Sequence, residues 1–365
     1  MDRMKNDTSL EQAAHAMTIC NACRYCEGLC ATFQAMTLRR TFADTDLDYL
    51  ANLCHQCMAC YHGCQYAPPH EFNLNIPTTL SALRADSYQR YAWPRFMGRL
   101  FERNGLLVSL AMALSLVLVL ILLLVYQDPA VLFSAHRGPG AFYAVIGHNL
   151  MAGVAGATFG FSLLALAVGC RRFWRAAGPA TGADANAWKQ ALRHAATLKY
   201  LGGAHGEGCS SVDERWSNWR RYFHQFTMWG FFLCIASTAV ATIYHYGIGI
   251  EAPYHFLSLP VMLGTSGGIG LLIGPIGLLW IKFRSDPGPL DEDRFGMDSA
   301  FLALLLLTSV SGLALLAFRE TAAMSLLLAV HLGFVLAFFL TLPYSKFVHG
   351  VYRFAALLRF ETERS

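Results

Sequence analysis

The chain has 365 residues, of which 55% are hydrophobic and only 14% are charged, and its formal net charge is +4. Soluble proteins carry about 25% charged residues, so a chain this poor in charge must expose much of its surface to lipid. The composition excludes a soluble enzyme, a disordered protein and a secreted disulfide scaffold, and the small net charge indicates no nucleic-acid partner. Eight of the 11 cysteines lie between Cys20 and Cys64, which divides the chain into a cysteine-rich head and an apolar remainder.

The head, residues 1–104, contains no long apolar run and begins too polar for a signal peptide. We expect it to stay in the cytoplasm, where thiols remain reduced and available as metal ligands. Two motifs share the spacing C-x2-C-x2-C-x3-C, and their members are Cys20, Cys23, Cys26 and Cys30, then Cys54, Cys57, Cys60 and Cys64. This spacing predicts two [4Fe–4S] clusters, because three cysteines bind one cubane and the fourth binds the other in two-cluster ferredoxins.

The crossed arrangement gives two ligand sets. They are Cys20, Cys23, Cys26 and Cys64 for one cluster, and Cys54, Cys57, Cys60 and Cys30 for the other. Two structural zinc ions are the alternative, although zinc ribbons use two separated CxxC arms. No proline follows Cys30 or Cys64 directly, unlike the bacterial ferredoxin motif. Apolar residues at helical spacing between the motifs predict a helical ferredoxin domain, of the type found in succinate-dehydrogenase-like iron–sulfur subunits.

Six apolar segments follow, each long enough to span a bilayer as a helix. They cover residues 105–126, 142–169, 223–246, 259–283, 299–318 and 324–344. Five spans are the alternative, if one segment is re-entrant. Basic residues gather at the ends that place both termini in the cytoplasm. We therefore predict an all-α protein, with a helical two-cluster ferredoxin domain at 1–104 and a six-helix transmembrane bundle at 105–365.

The segment 170–222 is predicted to be a cytoplasmic loop. It contains a Gly/Pro/Ala-rich linker, an amphipathic helix around 188–200 and a glycine-rich stretch, with an excess of basic residues. We expect it to lie on anionic lipid headgroups, and a docking surface for a soluble partner is the alternative. Cys209 and His205 in the glycine-rich stretch form a weaker candidate metal site.

Histidines in or beside the spans are candidate ligands of b-type haem, because an ionisable residue at membrane depth indicates function. They are His148, His224, His245, His331 and His349. His331 and His349 are five helical turns apart, so one continuous helix would present both on the same face, about 27 Å apart. We expect His331 to pair with His148 on the outer side, with His245 as the rival partner, and His349 to pair with His224. This gives one or two haems.

A glycine-rich run at 264–270 opens the fourth span. It is typical of close helix packing through small residues. The alternative is room for the face of a haem or a quinone ring.

The two motifs, CNACRYCEGLC at 20–30 and CHQCMACYHGC at 54–64, together with LPYSKFVHGVYR at 342–353, resemble the tricarballylate/citrate-utilisation protein B family. The membrane part is also similar to the nitrate-reductase gamma-type cytochrome b, where one helix supplies both partner ligands. The matching helix here would carry His224 and His245.

The resemblance implies that the chain re-oxidises the FADH2 of a partner flavin dehydrogenase similar to tricarballylate dehydrogenase. Electrons would then pass through two [4Fe–4S] clusters and b-type haem to the quinone pool of the cytoplasmic membrane. No nucleotide-binding fingerprint is present in the sequence, so we expect an electron-transfer subunit and not a self-contained dehydrogenase. An iron–sulfur redox sensor or assembly protein without partner-linked turnover is the alternative, and a transporter is a third.

Overall fold

The structure is a computed structural model and describes residues 2–178, 182–203 and 206–364. All regular structure in these ranges is helical, and one isolated antiparallel bridge joins Cys209 to Ser217. The predicted all-α fold class is confirmed.

The head consists of five helices whose ends position the cysteine motifs. They are α1 (Asp2–Cys23), α2 (Ala31–Thr37), α3 (Asp44–Leu53), α4 (Ala59–His62) and α5 (Ile76–Tyr91), followed by a 3-10 helix (Arg95–Phe101). Each motif begins near the C-terminal end of a helix, α1 for Cys20 and α3 for Cys54. Helix α5 begins where the Asn75 side chain accepts the Thr78 N–H at 3.3 Å, which is a favourable N-cap.

The remaining helices alternate between long apolar segments and short connections. In chain order they are α6 (Asn104–Tyr126), α7 (Pro129–Leu132), α8 (Ala141–Val145), α9 (His148–Ala177), α10 (Ala185–Ala196), a 3-10 helix (Lys199–Gly202), α11 (Trp219–Ile243), a π-helical turn (Tyr244–Ile248), α12 (Leu259–Arg284), a 3-10 helix (Glu292–Arg294), α13 (Phe295–Phe318), α14 (Met324–Thr341), a 3-10 helix (Leu342–Tyr344) and α15 (Val348–Arg364). Within the described ranges, six segments are long and apolar enough to cross a membrane. The chain is a multi-pass membrane protein.

The second span begins later than predicted. Residues 141–145 form the separate helix α8, and the extended backbone of Ile146 and Gly147 interrupts the helical path before α9. His148 is therefore the first residue of its helix, although the predicted span began at residue 142 and would have placed it inside.

The prediction of one continuous helix from His331 to His349 was also wrong. Helix α14 ends at Thr341, Pro343 lies in a 3-10 turn, and Ser345 has an extended backbone before α15 begins. Proline lacks the N–H that an α-helix needs and clashes with the preceding turn. The two histidines therefore lie on different helices, and their spacing does not set their relative direction.

Helix α15 returns to the head and fixes it to the membrane part. Arg39 and Arg359 both contact the Asp46 carboxylate, at 2.8 and 2.9 Å, and both also bond Glu363. A single hydrophobic core contains residues of α3, α5, α9 and α15. The head and the membrane part thus share one hydrophobic core. The boundary at residue 104 separates them in the sequence, and their helices pack together in the fold.

The loop at 170–222 also packs on the protein. Ala187 and Ala191 of α10, which overlaps the predicted amphipathic helix, bury against Leu358 of α15. Trp188 and Leu192 on the same helix stay exposed. The buried face of α10 therefore contacts protein, while its other face remains available to headgroups.

The glycine-rich run lies inside α12 and allows close packing against α11. A Cβ atom on Gly267 would come within 2.8 Å of the Gly230 carbonyl oxygen, and one on Gly270 within 2.9 Å of the Phe226 carbonyl oxygen. Real Cβ atoms do not approach backbone this closely, so the structure favours the interpretation of close helix packing.

Candidate redox centres

The head contains two cavities, each lined by four cysteines. The outer cavity is lined by Cys20, Cys23, Cys26 and Cys64. The inner cavity is lined by Cys30, Cys54, Cys57 and Cys60. These are the two sets of the crossed arrangement. Phe33 lines both cavities, so one side chain separates the two candidate sites.

The two cysteine motifs have the same backbone conformation at one position. The residue after the second cysteine has a left-handed φ in each motif, 56° at Arg24 and 66° at Met58, and Gln56 has a φ of 52°. Such turns point successive N–H groups into one concavity, which suits an anion or an iron–sulfur centre. The Gln56 N–H donates to Cys54 Sγ at 3.4 Å, and N–H bonds to cluster sulfurs are among the factors that set reduction potential.

Several of the cysteines that line the cavities have raised pKa values. Burial, and then the charges of neighbouring cysteines, raise the pKa of Cys20 and of Cys26 to about 12. The same causes raise the pKa of Cys30 to about 12. Ionisation of Cys20, Cys26 and Cys30 is therefore unfavourable on its own, and a cationic iron–sulfur core would compensate their thiolates. The donor set fits this group.

Cys57 differs from the other cysteines. The neighbouring Cys209 thiol lowers the pKa of Cys57 below its ordinary value. Cys209 is 1% exposed, and its thiol also lies 3.2 Å from the Leu201 carbonyl oxygen. Its predicted metal partner, His205, lies outside the described residues. Across the described ranges, no three His, Cys, Asp or Glu side chains are arranged to hold a single metal ion.

His224 of α11 and His349 of α15 form a pair beneath the inner cavity. Their ring centres are 6.0 Å apart and their planes cross at 77°. Two imidazoles that bind one iron from opposite sides, at about 2.0 Å each, separate their ring centres by roughly 6 Å. The His349 Nδ1–H donates to the Lys346 carbonyl oxygen, which fixes the tautomer and leaves Nε2 for a metal. The pair therefore fits a b-type haem, whose iron His224 and His349 would hold.

Arginines one helical turn from these histidines contact the inner cysteine motif. Arg220 lies four residues before His224, and its Nη2 donates to the His55 carbonyl oxygen at 3.3 Å. Arg353 lies four residues after His349, and its Nη2 donates to the Cys54 carbonyl oxygen at 2.8 Å. A single helical turn on each side thus joins the histidine pair to the inner cavity.

The outer histidines are arranged differently. His148 and His245 stack with ring centres 3.8 Å apart and an interplanar angle of 24°, which leaves no room for an iron between them. Tyr143 and Tyr246 complete this group of rings, and the Tyr246 hydroxyl lies 2.9 Å from His148 Nε2.

His331 faces α13. Its Nδ1 lies 3.2 Å from both Ser311 Oγ and the Thr308 carbonyl oxygen. The structure does not bring it to His148 or His245, so neither expected outer pair forms. A haem on the outer side stays a prediction.

The sequence interpretation missed the role of the arginines. Nothing in the sequence alone connects Arg84, Arg220 and Arg353 with the second cysteine motif. The available signal was the four-residue spacing of Arg220 to His224 and of His349 to Arg353, since residues at i and i+4 share a helix face.

The fold and these cavities define a multi-pass membrane protein with a cysteine-rich, ferredoxin-like head. The chain belongs to the citrate utilization protein B family. The family model "Citrate utilization protein B" matches residues 99–365, and "Citrate utilization protein B Fer4-like domain" matches residues 13–90. The predicted family is thereby confirmed, and the Fer4-like domain indicates an iron–sulfur electron-transfer role.

A curated relative from Escherichia coli, citrate utilization protein B, is 48% identical over 353 residues, which is 97% of this chain and 92% of the relative. No solved structure matches the chain.

Proposed function

We propose that the chain re-oxidises the FADH2 of a partner flavin dehydrogenase and passes the electrons to quinone in the cytoplasmic membrane. The electrons travel through two [4Fe–4S] clusters in the two cavities and one b-type haem on His224 and His349. The observation that carries this proposal is the succession of the outer cavity, the inner cavity and the histidine pair, joined by Phe33 and by the arginines of α11 and α15.

The outer cavity is the side that meets the partner. Tyr25, which lines it, is 73% exposed, whereas Cys54 of the inner cavity is 9% exposed. When bound, the clusters and the haem supply one-electron chemistry, which lets a two-electron flavin donate its electrons singly. The cysteine sets hold the clusters close together, and the surrounding core excludes water.

The membrane part supplies the acceptor side. His224 and His349 hold the haem iron, and the Lys346 carbonyl orients His349. Both ends of the described chain lie in helices that pack on the head, α1 and α15. Together with the basic residues at that end, this supports an orientation in which both termini are cytoplasmic. The family resemblance supports a partner similar to tricarballylate dehydrogenase.

The test uses the purified full-length protein in lipid nanodiscs. Chemical analysis should find about eight non-haem irons, about eight acid-labile sulfides and about one b-type haem per chain. Candidate flavoenzymes, tricarballylate dehydrogenase among them, are then added anaerobically with their substrates. The haem should become reduced, and a soluble quinone should re-oxidise it. Protein with neither cluster absorbance nor a reducible b-type spectrum would overturn the proposal.

A further inference from the structure

Arginines from three different helices converge on the backbone turn that begins the second cysteine motif. Arg84 of α5, which is 3% exposed, donates from Nη1 to the Cys54 carbonyl oxygen at 2.9 Å. Arg353 of α15 donates from Nη2 to the same oxygen at 2.8 Å. One carbonyl oxygen thus receives two guanidinium groups. It belongs to a residue whose sulfur lines the inner cavity.

Arg220 of α11 acts on the next peptide group of this turn. Its Nη2 donates to the His55 carbonyl oxygen at 3.3 Å, and its Nη1 donates to the carbonyl of Gln56. The N–H of the His55–Gln56 peptide group donates to Cys54 Sγ at 3.4 Å. A guanidinium on the carbonyl polarises this peptide group, so its N–H becomes a stronger donor to the sulfur.

The positive charge of these arginines is not balanced locally. By contrast, Arg39 and Arg359 share the Asp46 carboxylate, and Arg90 contacts Asp48. In the part of the chain that the structure describes, Arg84, Arg220 and Arg353 make no ion pair with Asp or Glu within 4.0 Å. The Nε atom of Arg353 is buried without a hydrogen-bond partner.

We propose that Arg84, Arg220 and Arg353 are positioning residues that raise the reduction potential of the cluster in the inner cavity above that of the outer one. This inference rests on the proposed function. A thiolate-bound cubane is anionic and gains one more negative charge on reduction, so nearby positive charge stabilises its reduced state more than its oxidised state.

A higher potential at the inner cluster gives electron transfer a direction, from the outer cluster to the inner one. The outer cluster is oxidised by one electron, the inner cluster is reduced by that electron, and no bond forms or breaks. The electron then rests beside His224 and His349, because Arg220 and Arg353 lie one turn from these histidines on the same helices. The arginines thereby favour transfer toward the membrane over return to the flavin.

The experiment is a potentiometric titration of the full-length protein in nanodiscs, followed by electron paramagnetic resonance. Cys23→Ser and Cys60→Ser variants assign the outer and inner cluster signals. At the wild-type midpoint of the inner cluster, Arg220→Gln and Arg84→Gln should each lower its reduced-to-oxidised ratio about tenfold. This corresponds to about 59 mV for one electron. The outer cluster should keep its midpoint.

The matched control is Arg172→Gln. Arg172 also donates to a backbone carbonyl oxygen, that of Ala92, but away from the cysteine turn. Its substitution should leave both cluster midpoints unchanged. Arg220→Lys keeps the positive charge, so the midpoint potential of the inner cluster should stay near the wild-type value. This variant also tests the role of the charge if Arg220→Gln does not assemble.

Some results would overturn the inference alone. These are an unchanged inner midpoint in Gln variants that retain both clusters, an equal shift in Arg172→Gln, or a drop in Arg220→Lys as large as in Arg220→Gln. Wild-type protein that holds no cluster would overturn the proposed function as well, so the two failures are distinguishable.

Discussion

At the scale of single residues, the two groups of candidate ligands differed in how far the sequence could define them. The cysteines lie close together along the chain, so their spacing alone indicated both sets, and the structure brings each set around one cavity. The histidines are far apart in sequence, and their pairing depends on where helices break and how they rotate. The structure brings His224 and His349 together despite the break at Pro343, but it does not bring His331 to His148 or His245.

Substitution of His349 tests the haem site at this scale. His349→Ala would remove one of the two proposed haem ligands, so the haem content of the purified protein should fall at least about tenfold. Iron and sulfide analysis should show that the clusters remain, since His349 lines neither cavity. The measurement is the reduced-minus-oxidised absorbance spectrum.

His331→Ala is the matched control. It also removes a histidine at the far end of the chain, but one whose ring contacts Ser311 and Thr308 of α13. This variant should keep its haem. The assignment of the haem to the His224–His349 pair would be contradicted if His331→Ala lost its haem while His349→Ala kept a full complement.

At the scale of elements, the apolar spans were predictable because each is a long run with almost no charge. Their ends differ most at the second span, which was predicted at 142–169 and is formed by α9 at His148–Ala177. The position of α15 was not predictable. It follows the last span directly in the sequence. Its position in the fold depends on Arg359 and Glu363, which contact Asp46 and Arg39 more than three hundred residues earlier in the chain. Contacts between such distant residues leave no local pattern.

The attachment of α15 to the head should depend on pH. Burial alone would raise the pKa of Asp46, but the hydrogen bonds and charges of Arg39 and Arg359 hold it below its usual value of 3.8. A depressed carboxyl pKa contributes stability that is complete above the unfolded-state pKa and is lost as the pH falls through the folded-state pKa. We therefore expect α15 to loosen below about pH 4.

Hydrogen exchange of the α15 amides, corrected for the intrinsic pH dependence of exchange, measures this loosening. Asp46→Asn should give faster α15 exchange already at pH 7. The matched control Asp44→Asn, at an exposed position of the same helix, should behave as the wild type. Equal α15 protection in the wild type and Asp46→Asn at pH 7 would show that this ion-pair network does not attach the helix.

At the scale of the whole molecule, the head contains the two cysteine-lined cavities, and the histidine pair follows them toward the six-span membrane part. The composition already indicated a membrane part with a metal-binding head. The sequence did not reveal that α11 and α15 carry both the histidines and the arginines that reach the inner cysteine motif, since this depends on how four distant segments pack.

The central claim is that electrons reach the haem only through the inner cavity. Its most direct test is the rate of haem reduction by a substrate-reduced partner flavoenzyme, measured by anaerobic stopped-flow absorbance in the wild type, in Cys60→Ser and in Cys170→Ser, whose cysteine lies in α9 outside both sets. The wild type and Cys170→Ser should reduce the haem at equal rates. In Cys60→Ser the flavoenzyme should leave the haem oxidised, while dithionite still reduces it. Haem reduction by the flavoenzyme at the wild-type rate in Cys60→Ser protein that lacks the inner cluster would contradict the account.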